Sequence, residues 1–253
     1  MYQIEPETDE TLARDAGRRK RGRCCLGCAG LLMLFFIISL FCIEPTKETA
    51  KRTACGNHEK AIMLGLHVYY DCCKSLLPAY STDQNGKPLH SWRVLILPYI
   101  EQSALYEQIR LDEPWDSEYN QQFHDKMPSA YHCLSARDST RKSGLTSYMR
   151  VVGPGTTTDG PDMVSFDEVK AHLSKIVALV EVYPTVNWMA PVDISPDELA
   201  EGINRKKKLG IGSFHIAYRD NTGIFVGMLD GSSQFVLDAD VPALAEKAIV
   251  PKE

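Results

Sequence analysis

The longest hydrophobic stretch of the chain lies near its N-terminus, where no charged residue occurs from Cys24 to Ile43. A helix of these twenty residues would reach ~30 Å, which is the thickness of the hydrocarbon core of a bilayer. The residues that close the stretch, Phe41 and Cys42 among them, are not the small residues of a signal-peptide cleavage site. The pattern therefore predicts an uncleaved transmembrane helix at 24–43.

The charges beside this stretch predict its orientation in a membrane. Five basic residues stand between Arg18 and Arg23, whereas Glu44 follows the stretch. Positive charge is retained on the cytoplasmic side of a membrane. We therefore predict that residues 1–23 are a cytoplasmic tail and that residues 44–253 form one extracytoplasmic domain.

Hydrophobic residues also recur at intervals of three and four after the stretch, which predicts a helix at 46–71 with one face toward a core. The residues that share this face are Cys55, Glu59, Ile62, Leu66, Tyr69 and Cys73. Pro45 separates the two helices, so we expect a bend there rather than a break. Another helical segment is predicted at 91–109, with Ser91 as its N-cap and an interruption at Pro98.

Alternating and β-branched runs dominate the C-terminal half of the chain. They predict strands at 146–152, 176–182, 223–229 and 232–237. The last two form a hairpin around Asp230-Gly231, and Ser195 with the proline after it begins a short helix. Because helices come first and strands later, the predicted class is α+β, with a long N-terminal helix packed on an antiparallel sheet.

The composition suits a globular protein, since 44% of the residues are hydrophobic and 24% are charged. The formal net charge is −5, and no basic patch with interleaved aromatic residues occurs, which argues against nucleic acid as a partner. The sequence has no nucleophile elbow, phosphate-binding loop, dinucleotide fingerprint or HExxH zinc motif. We therefore expect a non-enzymatic protein with no cofactor and no metal.

An acidic, aromatic segment is a candidate ligand site. Asp112, Glu113, Trp115 and Asp116 follow one another closely in a predicted loop. Paired carboxylates beside a tryptophan are typical of glycan binding or glycoside hydrolysis, and carboxylates also bind calcium. The alternative is a loop that only covers the sheet. A cleft with two carboxyl groups roughly 5–10 Å apart would favour the hydrolytic hypothesis.

Three other residues have both a chemical and a structural interpretation. His215 and Asp230 could be metal ligands or a general-base pair, but two groups are too few for a zinc site. A strand position for His215 and a turn position for Asp230 are the favoured interpretation. Glu181, within a predicted strand, is expected to point outward from a half-exposed sheet, with a buried carboxyl group as the alternative.

The eight cysteines fall into two groups. One group belongs to the predicted membrane span and its rim: Cys24, Cys25, Cys28 and Cys42. The other group lies in the predicted extracytoplasmic domain: Cys55, Cys72, Cys73 and Cys133. Disulfides persist outside the cytoplasm, and four cysteines allow three pairings, which the residue pattern leaves open.

A helix that continues outward from a membrane span and packs on an antiparallel sheet is the architecture of type IV pilins and pseudopilins. Several strings sharpen this likeness, among them ACGNHEKAIMLGLHVYYD (54–71), HSWRVLILPYIEQSALYEQ (90–108), LDEPWDSEYN (111–120) and MLDGSSQFV (228–236). From about residue 45 to about residue 237, the chain resembles a large bacterial family known as domain of unknown function 1559. Members of this family have a prepilin-like N-terminus. The resemblance implies a structural or partner-binding protein of the inner membrane, whose partners are envelope proteins or surface polysaccharide.

The sequence departs from that family at the site where prepilins are cut. Aligning the family's proline on Pro45 puts Arg23 at the glycine before the cut and Cys24 at the phenylalanine after it. Cys28 then stands at the glutamate that prepilins carry in the same segment. Because all three signature residues are lost, we expect a pilin-like body without pilin processing or filament assembly.

The resemblance also implies a disulfide between Cys55 and Cys133, where the family has its two recurrent cysteines. Cys72 and Cys73 are then extra thiols of this chain. A bridge that closes a loop of about eighty residues is worth roughly 4 kcal/mol in the chain-entropy description.

The C-terminal signature of the family is a histidine nine residues before Asp-Gly. Fourteen residues separate His215 from Asp230-Gly231 in this chain. The hairpin is kept, but a role that depends on the fixed spacing is not expected here.

Overall fold

A computed structural model describes Met33 and residues 49–136, 142–163, 165–183, 186–201, 215–216 and 222–251. The chain divides after Thr49, and the fold below is that of the second unit. The predicted tail at 1–23 and the predicted span at 24–43 lie outside the described residues, apart from Met33. Among the described residues, no helix has both the length and the apolar composition of a membrane span.

The first helix covers residues 49–73, close to the predicted segment. Its buried face is the predicted one, and the fully buried members are Cys55, Glu59 and Ile62. Cys73, at the end of the helix, is exposed. A β-carbon at Gly65 would lie 2.5 Å from the side chain of Ile100, so only glycine allows the helix to pack this closely on the segment beneath it.

The helical segment predicted at 91–109, with an interruption at Pro98, is divided into three pieces. These are Trp92–Leu95, the 3-10 turn Leu97–Ile100, and Ser103–Tyr106. Pro98 lies at the start of the second piece, and Glu101 has a positive φ of 61° after it, which ends the helical winding. Ser91 is the N-cap of the first piece, as predicted, because its hydroxyl accepts a hydrogen bond from the backbone N–H of Arg93.

The strands of the described residues are β1 (Tyr80–Thr82), β2 (Pro88–Ser91), β3 (Tyr148–Arg150), β4 (Thr158–Asp159), β5 (Asp162–Met163), β6 (Val177–Glu181), β7 (His215–Ile216), β8 (Thr222–Met228) and β9 (Ser233–Leu237). In the main sheet β3 pairs with β6, β6 pairs with β8, and β8 also pairs with β7 and β9, all antiparallel. The pairs β1–β2 and β4–β5 are separate antiparallel hairpins. The predicted β8–β9 hairpin is confirmed, and Gly231 supplies a positive φ of 87° at its turn.

Short helical elements complete the domain. They are Asn120–Phe123, Ser129–Tyr131, Phe166–Val169, Pro196–Ala200, Asp238–Ala243 and Leu244–Ala248. Ser195 is the predicted N-cap, and Glu198 completes a capping box with it. Each element is too short to be stable alone, so packing on the sheet must stabilise it.

Both faces of the main sheet are covered. In β6, Leu179 packs in the core beneath the first helix, together with Ile62. On the opposite face, Val180 packs with Leu199 and Leu244 from the C-terminal helices. The predicted α+β class, with an N-terminal helix and an antiparallel sheet, is confirmed.

Candidate functional site

A buried polar cluster lies between the first helix and the main sheet. The cluster is named here the cysteine–carboxyl site, and its fully buried members are Cys55, Glu59, Cys133, Tyr148 and Glu181. The sulfur atoms of Cys55 and Cys133 lie 2.8 Å apart. The ligand atoms of Cys55, Cys133 and Glu181 all lie within 4.8 Å of one another. The site therefore joins the first helix, the segment before the sheet and the end of β6.

The expectation that Glu181 points outward is wrong, because both faces of β6 are covered and the side chain is fully buried. Its carboxylate accepts a hydrogen bond of 3.1 Å from the backbone N–H of Phe225. Nearby, Glu59 accepts a hydrogen bond from the hydroxyl of Ser233. Burial raises the pKa of Glu59 well above its ordinary value, and the adjacent Glu181 raises it further. The Glu59 carboxyl group is therefore favoured in its protonated form.

A metal ion would fit the two sulfurs poorly. Zinc binds thiolates at about 2.3 Å in a tetrahedral arrangement, which places two such sulfurs about 3.8 Å apart. The sulfurs of Cys55 and Cys133 are closer together than that. Burial, and then the contact with Cys55, raises the pKa of the Cys133 thiol, which disfavours the thiolate that a metal requires. The chemistry that suits this contact is oxidation of the pair to a disulfide.

A second buried polar cluster, named here the arginine site, contains Arg93, Arg150 and Asp193. One carboxylate oxygen of Asp193 accepts three hydrogen bonds: from the Arg93 guanidinium at 2.7 Å, from the Trp92 indole N–H at 3.0 Å and from the Arg150 backbone N–H at 3.0 Å. Burial raises the pKa of Asp193, and the charge of Arg93 opposes that rise. Arg93 and Asp193 thus form a buried ion pair with additional hydrogen bonds.

Arg150 has no such ion pair among the described residues. Its guanidinium donates hydrogen bonds to the backbone carbonyls of Leu77 at 2.6 Å and Pro78 at 3.5 Å. The residue is only 3% exposed. Burial lowers the pKa of Arg150 to about 10, so the side chain is still a cation at neutral pH.

Hydrogen bonds and ring stacking hold the acidic, aromatic segment in place. The buried side chain of Asn120 donates to the backbone carbonyls of Arg110 and Pro114, both at 2.9 Å. Trp115 stacks on His124 with ring centroids 5.1 Å apart. The tryptophan therefore contributes to packing within its own segment.

The carboxylates of this segment differ in their surroundings. Glu113 accepts hydrogen bonds from the Arg110 guanidinium at 2.9 Å and from the Ser117 hydroxyl at 2.8 Å. Asp112 and Asp116 are exposed. A small cavity beneath the first helix, lined by Leu66, Tyr70 and Arg150 among others, has no carboxylate in its lining. These contacts are those of a structural loop, and the glycan hypothesis stays a prediction.

His215 and Asp230 lie toward opposite ends of β8. His215 pairs with Gly223 at the start of that strand, whereas Asp230 follows its end. Seven residues of extended chain separate positions 223 and 230, which corresponds to roughly 20 Å. Asp230 instead accepts hydrogen bonds from the backbone and the hydroxyl of Ser232, at 2.9 and 2.6 Å, and so stabilises the turn. The described backbone therefore does not bring His215 and Asp230 together.

The sequence patterns did not identify Arg93, Arg150, Asp193 or Glu59 as members of polar sites. For two of them the sequence contains a sign of burial. Glu59 is a charged residue on the hydrophobic face of a helix, and Arg93 is a charged residue near the start of a hydrophobic segment, just after Ser91 and Trp92. A charged residue at a core position needs a buried partner. The pattern does not reveal which distant residue that partner is.

Comparisons with known proteins identify one family. The profile of a family described as "Protein of unknown function (DUF1559)" matches residues 45–178 of the 253-residue chain, from before the first helix into β6. The tail strings that resemble this family, up to residue 237, lie beyond the matched part. No match was found among curated proteins or among solved structures. Because the match spans more than half of the chain, this protein belongs to the DUF1559 family.

Proposed function

We propose that the chain is a membrane-anchored, non-enzymatic envelope protein of the pilin or pseudopilin type, in which residues 44–253 act outside the cytoplasm in a structural or partner-binding role. The anchor in this proposal is the uncharged segment 24–43, which has the length of a bilayer core. The basic cluster from Arg18 to Arg23 would keep the N-terminus in the cytoplasm.

The contact between the sulfurs of Cys55 and Cys133 is the observation that carries the proposal. A buried pair 2.8 Å apart is placed for oxidation, and the resulting disulfide would persist only in an oxidising compartment. The bond would hold the first helix against the segment before the sheet. Membership in the DUF1559 family assigns no activity.

Topology and oxidation can be tested together on the full chain. A reporter enzyme that is active only after export, fused behind Glu253, should be active, and a reporter that works only in the cytoplasm should not. Peptide mapping without reductant, after alkylation of accessible thiols in intact cells, should recover a linked Cys55–Cys133 pair and alkylated Cys72 and Cys73. Activity of the cytoplasmic reporter, or reduced Cys55 and Cys133 in freshly lysed cells, would overturn the proposal.

Processing at the N-terminus distinguishes an anchored protein from a filament subunit. Because Arg23 and Cys28 replace the glycine and glutamate of the prepilin site, we expect the chain to remain uncut. Mass spectrometry of the membrane-extracted protein should detect peptides that contain residues before Cys24. A mature chain that begins at a methylated Cys24 would contradict this part of the proposal.

A further inference from the structure

The side of the first helix that faces away from the sheet carries exposed apolar side chains. Leu64 is 63% exposed and Val68 is 37% exposed, although leucine and valine usually lie in a core. These two residues, named here the apolar pair, are one helical turn apart, and the exposed Ala61 precedes them by one turn. Contiguous exposed apolar side chains mark contact surfaces, whereas single ones are common on any protein.

Opposite charges flank the apolar pair on one side. At about 3.6 residues per turn, Lys60 and Asp71 project on the same side of the pair, one beyond each of its ends. Both are exposed, and neither forms an ion pair among the described residues. They lie ~16 Å apart along the helix, so they cannot pair with each other. Each charge is therefore available to a group on another molecule.

A second copy of the same helix supplies the complementary pattern. When two copies pack antiparallel about a two-fold axis at position 66, residues equally far before and after this position face each other. Leu64 then packs on Val68 of the second copy, and Lys60 lies opposite Asp71 of the second copy. The symmetry repeats both contacts. A parallel pair lacks this complementarity, because it places the charged side of one helix against the uncharged side of the other.

We propose that the first helix binds the same helix of a second copy of this chain in an antiparallel pair, through the apolar pair and the charges that flank it. The paired face is ~18 Å long, so the interface is small and the complex is weak and reversible. On the uncharged side, Cys72 lies opposite Ala61 of the second copy. The two Cys72 thiols are ~18 Å apart in this arrangement and stay unbonded. This interface does not rest on the membrane topology proposed above.

Disulfide trapping on the purified full chain in detergent, with copper phenanthroline as oxidant and peptide mapping as readout, tests the arrangement. Ala61→Cys in a Cys73→Ala background should bond to Cys72 of a second copy. Within one chain these positions lie ~16 Å apart, beyond disulfide reach, so such a bond joins two copies. Lys51→Cys, at an exposed position outside the paired face, is the matched control and should bond to Cys72 at least about fivefold more slowly. Equal rates, or a predominant bond between two Cys72 thiols, would overturn the proposal.

Charge reversal tests the ion pairs between the copies. In the trapping variant, Asp71→Lys should slow the bond by at least about fivefold, because repulsion between lysines replaces both ion pairs. Adding Lys60→Asp exchanges the two charges and should restore the original rate. Glu107→Lys reverses an exposed charge outside the paired face and should leave the rate unchanged. An unchanged rate in Asp71→Lys, no recovery in the double charge reversal, or an equal loss in Glu107→Lys would overturn the proposed contact.

Discussion

The cysteine–carboxyl site and the arginine site both bury ionisable groups, but they lie toward opposite ends of one strand pair. Tyr148 pairs with Glu181 at one end of β3, and Arg150 pairs with Leu179 at the other. Alternate residues of a strand face the same side of a sheet, so both ends face the first helix. One stretch of helix–sheet interface therefore buries acidic groups at one end and basic groups at the other.

The two sites show that buried acids and buried arginines reach low energy by different routes. A carboxyl group such as Glu59 can bind a proton when its pKa is raised, and it then needs only hydrogen bonds. An arginine keeps its charge even when burial lowers the pKa of Arg150 to about 10. Glu59 can therefore be neutral in the folded domain, whereas Arg150 stays charged and donates hydrogen bonds to backbone carbonyl oxygens.

Removal of the sulfur pair should have the largest effect on stability. If Cys55 and Cys133 are bonded, the loop spans 78 positions, and Cys133→Ala should lower the free energy of unfolding by up to about 4.5 kcal/mol without reductant. Chemical denaturation of the full chain measures this loss, and reductant should lower the stability of the parent protein to a similar degree. Cys72→Ala, at an exposed thiol, is the control and should not change stability. A parent protein that is insensitive to reductant would show that the pair acts only by packing.

Neutralising the carboxylate of Asp193, in the arginine site, should destabilise the domain. Asp193→Asn leaves two buried guanidinium groups without a negative charge, so we expect a loss of about 3 kcal/mol in the free energy of unfolding. Asp167→Asn is the matched control, because Asp167 forms an exposed ion pair with Lys170 and its loss should not be measurable. Equal effects of the two substitutions would mean that burial does not determine how much the Arg93–Asp193 ion pair contributes to stability.

Glu59 should make the stability of the domain depend on pH. Its pKa is raised in the folded state, so the folded chain holds a proton that the unfolded chain releases as the pH rises above about 4.5. The free energy of unfolding should therefore fall with rising pH, by at most about 1.4 kcal/mol per pH unit from this group. Glu59→Gln should flatten that slope and stabilise the domain at pH 8.

Denaturation curves between pH 5 and pH 8 measure this effect on the full chain. Glu107→Gln, at an exposed position, is the control and should leave the slope unchanged. A slope that persists in full in Glu59→Gln would show that the acidic end titrates through another group.

The smallest expected effect on stability concerns Ser91, which both caps a helix and holds the side chain of Arg93. The hydroxyl of Ser91 accepts hydrogen bonds from the Arg93 backbone at 3.2 Å and from its guanidinium at 2.7 Å. The exposed Ser165 caps a short helix only, through the backbone N–H of Asp167. Ser91→Ala should therefore destabilise the domain by about 1 kcal/mol more than Ser165→Ala. Equal losses in thermal unfolding would assign the whole effect of Ser91 to the cap.

Local patterns predicted the elements whose determinants are local. The period of the first helix, the Asp230-Gly231 turn and the Ser195 cap each depend on a few neighbouring residues, and all three were predicted correctly. The β1–β2 hairpin was missed although Asn85-Gly86 signals a tight turn, which Gly86 adopts with a φ of 81°. The interruption at Pro98 was also predicted, but the second break, at Glu101 with its φ of 61°, has no proline or glycine to signal it.

The polar sites depend on contacts between distant parts of the chain. Arg93 and Asp193 are separated by 100 positions, and no local pattern relates them. The alternation rule placed Glu181 outside because it assumes that one sheet face is solvated, whereas helices cover both faces here. That Cys55 and Cys133 lie together was expected from the family resemblance and not from the residue pattern, and the disulfide between them stays a prediction.

The place of Cys55 in the second turn of the first helix has a mechanical consequence. A tension applied through the N-terminal end of the domain would reach Cys55 before the rest of the helix. There the Tyr148 hydroxyl holds the Cys55 carbonyl at 3.1 Å, and one turn later Ser233 holds Glu59. These attachments tie two successive turns of the helix to β3 and β9. A pull on the N-terminal end of the domain would therefore be passed to the sheet at these two points.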